Sequence, residues 1–318
     1  MRVLKIAGKI LAVALLLAVL MGGPACYLQY RRCNLETLPM DDAARALVPG
    51  SFVNLPNGAT HYELAGPAGA RTVVLVHGFS VPYYIWDPTF DALVKAGFRV
   101  LRYDLFGRGW SDRPDVAYDP DFFDAQLTQL LAALGISGPV DVAGISMGGP
   151  IVTTFANRHP ERVRSVVLFD PAYDAGFAPP LELRVPVLNE FVFCVKFMPN
   201  LPASQREDFV HPERYPEYFA RYETQMRYKG FRHAMLSTVR DYLSRNNTGE
   251  YARLGRSGKP VLLFWGKADQ DVPYALSDKV RKDVPQAEFH AIDDAAHVPF
   301  MEHPEVVHPI LIEFLRRR

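Results

Sequence analysis

Five residues, Gly144-Ile145-Ser146-Met147-Gly148, constrain this chain more than any others. A mostly apolar run from Val140 to Ala143 precedes them and reads as a buried strand. An apolar, helix-compatible run follows as far as Arg158. The pattern is G-x-S-x-G. A serine on so sharp a strand-to-helix turn takes a strained backbone conformation that lifts its hydroxyl clear of the sheet. Only small residues two before and two after it let the strand and helix pack that closely. The helix N-terminus points free N–H groups at the same spot, where negative charge is favoured. Ser146 is therefore a candidate nucleophile. The bland alternative is a glycine-rich turn with an incidental serine, and the strand before and helix after weigh against it.

The rest of the chain repeats a strand–helix rhythm. Thr72–Val76 is an almost wholly apolar, β-branched run and reads as a buried strand ending at His77-Gly78-Phe79-Ser80. Before it, Ser51–Leu64 reads as a hairpin turning at Asn57-Gly58. Trp86–Ala96 suits a helix and Phe98–Tyr103 a strand, which runs into Asp104 and the Gly107-x-Gly109-x-Ser111 loop. That loop lacks the trailing glycine or lysine of a phosphate cradle, so it reads as a scaffold turn braced by Asp104 and Ser111. Asp119–Leu134 is the next helix, and Val163–Phe169 a strand closed by Asp170-Pro171. The rhythm returns at Pro260–Trp265, continues through Gly266-Lys267-Ala268-Asp269-Gln270-Asp271-Val272-Pro273, and reaches a last strand at Ala287–Ile292. His297 follows in a loop of small residues, before a final helix that begins near Glu302-His303-Pro304.

The elbow, the His-Gly pair, the Asp…G-x-G-x-S loop, the G-x-x-D-x-x-x-P turn and the late histidine together resemble the α/β-hydrolase fold superfamily. They most resemble its serine esterase and lipase members, of the monoacylglycerol-lipase kind. The resemblance runs from about residue 51 to 317. It implies an α/β fold: a mostly parallel twisted sheet with helices on both faces and an inserted helical cap. It also implies a catalytic triad of Ser146, Asp269 and His297, in the chain order of that family. The main-chain N–H groups of Phe79 and Met147 would form the oxyanion hole. Asp170 competes for the role of acid, since some relatives carry theirs after that strand. Asp271 has the wrong spacing from Gly266 and Pro273, and His77 reads as a structural loop residue. No cofactor and no metal is implied. A serine rather than an aspartate at 146 speaks against the haloalkane dehalogenase and epoxide hydrolase branches.

Residues 173–250 break the rhythm and are rich in aromatic residues, among them Phe177, Phe193, Phe209, Tyr218, Phe219 and Tyr222. The expected cap would offer an apolar pocket, although for any single ring packing against the body is the simpler role. The organisation expected is 1–30 signal anchor or signal peptide, 31–50 linker, 51–172 and 251–318 hydrolase core, and 173–250 cap. The N-terminal expectation rests on an uninterrupted apolar run at 10–21, continuing uncharged to Tyr30, with Arg2, Lys5 and Lys9 before it. From Ile10 to Tyr30 it is long enough to span a bilayer core of ~30 Å at ~1.5 Å per residue. An N-terminal hydrophobic helix would hold the protein at the membrane with the catalytic part outside the cytoplasm, or the protein would be secreted if the segment is cleaved.

Lys+Arg and Asp+Glu stand at 35 each, a balance that argues against nucleic acid as the main partner. Cys26, Cys33 and Cys194 show no C-x-x-C spacing, so neither a zinc site nor a disulfide framework is signalled. The expected activity is hydrolysis of lipophilic carboxylic esters by an esterase or lipase. C–C bond hydrolysis of the meta-cleavage type, thioester hydrolysis and cofactor-free haloperoxidase chemistry use the same triad. A non-catalytic binding role on the same scaffold is the alternative from another class.

Overall fold

In the computed structural model, residues 22–173, 178–185 and 188–317 are described. Among them, eight strands form one sheet in the order β1-β2-β4-β3-β5-β6-β7-β8. The strands are β1 (Ser51–Leu55), β2 (Gly58–Ala65), β3 (Thr72–Val76), β4 (Arg99–Tyr103), β5 (Val140–Ile145), β6 (Val163–Phe169), β7 (Val261–Gly266) and β8 (Ala287–Ile292). The β1–β2 hairpin turns between Leu55 and Gly58, and β2 pairs antiparallel with β4. Every pairing from β4 to β8 is parallel. Parallel strands need crossovers, and those crossovers cover both faces of the sheet with helices. That is why Val73–Val76 are all fully buried: Val73 and Leu75 face one core, Val74 and Val76 the other.

The helices that matter for the site are α1 (Asp87–Lys95), α2 (Pro120–Ala133), α3 (Gly148–Arg158), α4 (Pro216–Gln225), α5 (Phe231–Thr238), α6 (Thr248–Arg256), α7 (Leu276–Asp283) and α8 (Pro304–Arg317). α2 starts where Asp119 accepts the Phe122 N–H at 2.9 Å, with Pro120 in the first turn. One core joins α1 and α8 through Phe90, Leu93, Leu311 and Phe314. The other joins α2, α3 and α6 through Phe123, Leu127, Phe155 and Leu254. Each such side chain contributes about 1.5–3 kcal/mol by leaving water.

Between β6 and β7 the chain leaves the sheet for a run of short helices that includes α4 and α5. Phe193, Phe209, Tyr218, Phe219 and Tyr222 are buried in the core shared with the sheet. The rings thus pack the cap to the body and do not line the cleft that holds Ser146; Phe177 lies outside the described residues.

Two expectations about the N-terminal part are corrected. Cys33 and Cys194 form a disulfide, with Cα atoms 5.9 Å apart and 161 residues between them in sequence. A pairing across that distance leaves no spacing pattern to read. The stretch expected as a linker is docked on the cap instead. Leu38 exchanges main-chain hydrogen bonds with Arg227 and Lys229 at 3.0 and 2.9 Å. Arg232 pairs with Glu36 at 3.2 Å and with Glu190 at 2.6 Å. Residues 22–33 are helical. The apolar run at 10–21 lies outside the described residues, and among those described no helix is long and apolar enough to cross a membrane.

Replacing Cys33 and Cys194 by serine removes the covalent tie between the N-terminal helix and the cap. The expected loss is about 2–5 kcal/mol of stability, because an unfolded chain cross-linked over so long a loop has lost much of its entropy. A thermal melt of the double variant at the wild-type temperature would show no change if the bridge carried no load.

Candidate active site

Ser146 sits between β5 and α3 with φ +52, in the left-handed region that non-glycine residues rarely enter. Its main chain is held from three sides. Its N–H donates to Phe169 O at 3.0 Å, and its carbonyl accepts from Gly149 and Ala172 at 2.9 and 3.0 Å. The small neighbours are required by close approach. A Cβ on Gly144 would lie 2.3 Å from Gly148 O, and one on Gly148 would lie 2.3 Å from Val76 O.

The acid turn follows β7. Asp269 Oδ1 accepts the Asp271 and Val272 N–H groups at 2.9 and 3.0 Å. Its Oδ2 accepts the His297 Nδ1–H at 2.8 Å, with both side chains buried. Asp271, more than half exposed, instead faces His297 Nε2 at 3.4 Å. The histidine loop follows β8 and is fixed by Glu302, which accepts from Ala296 N and, on the cap, Val210 N, each at 2.7 Å. His297 N–H donates to Asp208 O at 3.0 Å, so the histidine loop is tied to the cap there as well.

The N–H groups of Phe79 and Met147 have no acceptor among the described residues. Both lie beside Ser146: Met147 follows it, and a Cβ on Gly78 would come 3.1 Å from Ser146 Cβ. The Phe79 loop is braced from behind. Arg108 Nε donates to Phe79 O at 2.7 Å, and its other nitrogens reach Phe106 O and Thr238 Oγ1. Gln225, on α4, donates to Ser80 O and accepts from Gly109 N, both at 2.9 Å. Sequence reasoning passed over Arg108 and Gln225. The one available signal was an arginine between the glycines of the G-x-G-x-S loop, where a buried cation would need carbonyl partners. His77 accepts the Leu105 N–H at 2.9 Å and is buried, which pushes it down to about 4, so it braces the loop as a neutral ring. Asp104 accepts from Tyr83 N and Trp110 N, and Ser111 Oγ donates to Asp104 O at 2.7 Å.

Asp170 lies at the end of β6, fully buried, with φ +42. Its Oδ1 accepts the Gly266 N–H at 2.7 Å. It is not the hydrogen-bond partner of His297; Asp269 holds that place.

Ser146 and His297 line one cleft of about 300 Å³. Its walls carry Phe79, Val81, Ile85, Ile145 and Leu201, but also Ser80, Ser204, Gln205, Glu207, Asp208, Gln270 and Asp271. Among the described residues, no lysine or arginine lines it. Burial pushes Asp208 up to about 7, opposed by the charge of His297. Burial also pushes His297 down, but Asp269, Asp271 and Asp208 together outweigh it and hold the ring well above the usual histidine range. A base must be neutral to act. Turnover is therefore expected to rise with pH through the raised value, giving an alkaline profile whose midpoint lies above ~6.5. Asp271→Asn removes one of the charges that favour the imidazolium and is expected to lower that midpoint. A kcat/KM profile already flat from pH 6 to 9 would count against this reading.

A parallel sheet presenting a strained serine, an acid turn and a histidine loop at its carboxyl ends is the framework of an α/β hydrolase. A model of that family, the alpha/beta hydrolase fold, matches residues 71–304, and the chain belongs to it. Its relatives include Lipase 1 of Psychrobacter immobilis, 28% identical over 76% of this chain and 75% of the relative. Another is a 2-hydroxy-6-oxononadienedioate/2-hydroxy-6-oxononatrienedioate hydrolase of Paraburkholderia phymatum, 30% identical over 83% of this chain and 94% of the relative. Among solved structures, an enol-lactonase from Burkholderia xenovorans superposes with a TM-score of 0.71 at 22% identity, over 84% of this chain and all of that one.

Proposed function

We propose that this chain is a serine hydrolase of small carboxylic esters. The observation that carries the reading is the strained Ser146 in one cleft with His297, whose Nδ1 is bonded to Asp269, beside two unengaged N–H groups. In this mechanism neutral His297 takes the Ser146 proton as Oγ attacks the ester carbonyl. Asp269 holds the imidazole in the right tautomer and stabilises the imidazolium. Phe79 and Met147 N–H groups bind the oxyanion, a contact worth ~10²–10³ in rate per donor in comparable sites. The alcohol leaves with the proton from His297. Water, deprotonated by the same ring, then releases the acid.

Electrostatics favours ester over C–C cleavage. The relative named for the dienedioate substrate acts on a dianion by its name. Here Glu207 and Asp271 line the cleft, Asp208 is held partly neutral by burial, and among the described residues no lysine or arginine lines it, so a dicarboxylate finds no fixed cationic partner. The polar lining also favours a compact ester over a long acyl chain, which narrows the lipophilic ester expected from the sequence. The test is hydrolysis of p-nitrophenyl esters from acetyl to palmitoyl by the protein, beside Ser146→Ala. A short-chain optimum that vanishes with Ser146 supports the reading; folded protein inert toward every ester sinks it. The basic-flanked apolar run at 10–21 supports placement at a membrane, and the Cys33–Cys194 disulfide supports an oxidising, extracytoplasmic compartment. Sedimentation with membranes and accessibility to an external protease would test that placement.

A further inference from the structure

We infer that Asp170 works as a protonated carboxylic acid that donates a hydrogen bond to the Asp269 carboxylate, positioning the acid of the triad without replacing it. The inference rests on the triad of the proposed function. Asp170 is fully buried, and its Oδ2 has no hydrogen-bond partner among ordinary donors. One side-chain oxygen of Asp170, one of Asp269 and one ring nitrogen of His297 lie within 4.8 Å of one another. Two carboxyl groups so close and so buried cannot both ionise, and one proton must stay on the pair. The donors decide where it sits. Asp269 accepts three N–H groups, from Asp271, Val272 and His297. Asp170 accepts one, from Gly266. The carboxylate belongs where the donors are, so the proton belongs to Asp170.

Placed on Oδ2, that proton satisfies the orphaned atom and gives Asp269 a fourth donor. Burial, and then the neighbouring Asp269 charge, push Asp170 well above the usual carboxylate range, with His297 opposing. Asp269 and His297 are the charged groups that face Asp170; Asp271 and Asp208 act on the far side of the ring. The left-handed backbone at Asp170 holds the carboxyl in place, between a main chain bonded to Phe264 O and the Ala172–Ser146 contact of the elbow. The acid, the nucleophile and Asp170 thereby form one connected unit. The consequence is a fixed carboxylate plane aimed at Nδ1 and a His297 value that rises less than an undamped Asp269 charge would make it.

The test compares Asp170→Asn with Asp170→Gly. Asparagine keeps the size, the left-handed backbone and a donor toward Asp269. Glycine keeps only the backbone. Asp170→Asn is expected to retain kcat within about threefold and leave the acid limb of the pH profile where it is, whereas Asp170→Gly loses ~10–100-fold and its limb moves to higher pH. An ionised Asp170 would give the opposite sign for asparagine: a charge lost beside His297 and a midpoint moved down. That shift overturns the inference, and so does full activity in Asp170→Gly. Infrared spectroscopy gives a readout independent of turnover. A carbonyl stretch of a protonated buried acid at neutral pH, absent from Asp170→Asn, is expected, and its absence from the wild type refutes the assignment. Folded wild type inert toward esters would sink the ester reading alone, and the infrared band would still decide the protonation of Asp170.

Discussion

Ser146→Ala is expected to lower ester turnover by roughly 10⁴–10⁶-fold, down to what the oxyanion donors and substrate binding supply on their own. The size of the effect follows from the elbow. No other hydroxyl occupies the left-handed turn at the end of β5, so nothing substitutes for Oγ. The backbone remains free to fold, because alanine at φ +52 is strained no more than the serine it replaces. The measurement is single-turnover hydrolysis of p-nitrophenyl acetate, with circular dichroism to show the fold intact. A residual rate within tenfold of wild type would remove Ser146 from the reaction.

Asp269→Asn is expected to cost about 10⁴ in kcat. The asparagine amide would point a donor at His297 Nδ1, where the carboxylate oxygen now accepts at 2.8 Å. The ring would respond by turning its proton to Nε2, the nitrogen that must receive the Ser146 proton. The contrast with Asp170 makes the experiment sharp. The same substitution at two carboxyls so close together should be ruinous at one and nearly silent at the other. Equal losses at the two positions would mean that the pair shares the role of acid.

The sheet was legible because parallel strands are buried on both faces and so read as continuous apolar runs. Thr72–Val76 and Val163–Phe169 come out at the expected bounds. The helix before the elbow was expected from Asp119, and Asp119 does cap its first turn. Ser146 could be read from the small residues its turn requires, whereas Asp269 and His297 were expected only from the resemblance of their turn and loop to the family's. Contacts between distant segments were not legible. Arg108 reaching Phe79 O, Gln225 joining two loops, and Glu302 clamping the histidine loop to Val210 leave no local pattern. The cap aromatics show the same limit from the other side: composition marks rings for burial, and cannot tell a core from a pocket wall. Asp170 and Asp269 differ in their number of donors, which only coordinates reveal.

The Cys33–Cys194 bridge gives the molecule an unusual point of suspension. The N-terminal helix is riveted to the roof of the cleft and not to its floor, a few residues before Leu201, Ser204 and Gln205 enter the lining. A restraint on residues 22–33 is therefore delivered through Cys194 to the part of the protein that covers the cleft.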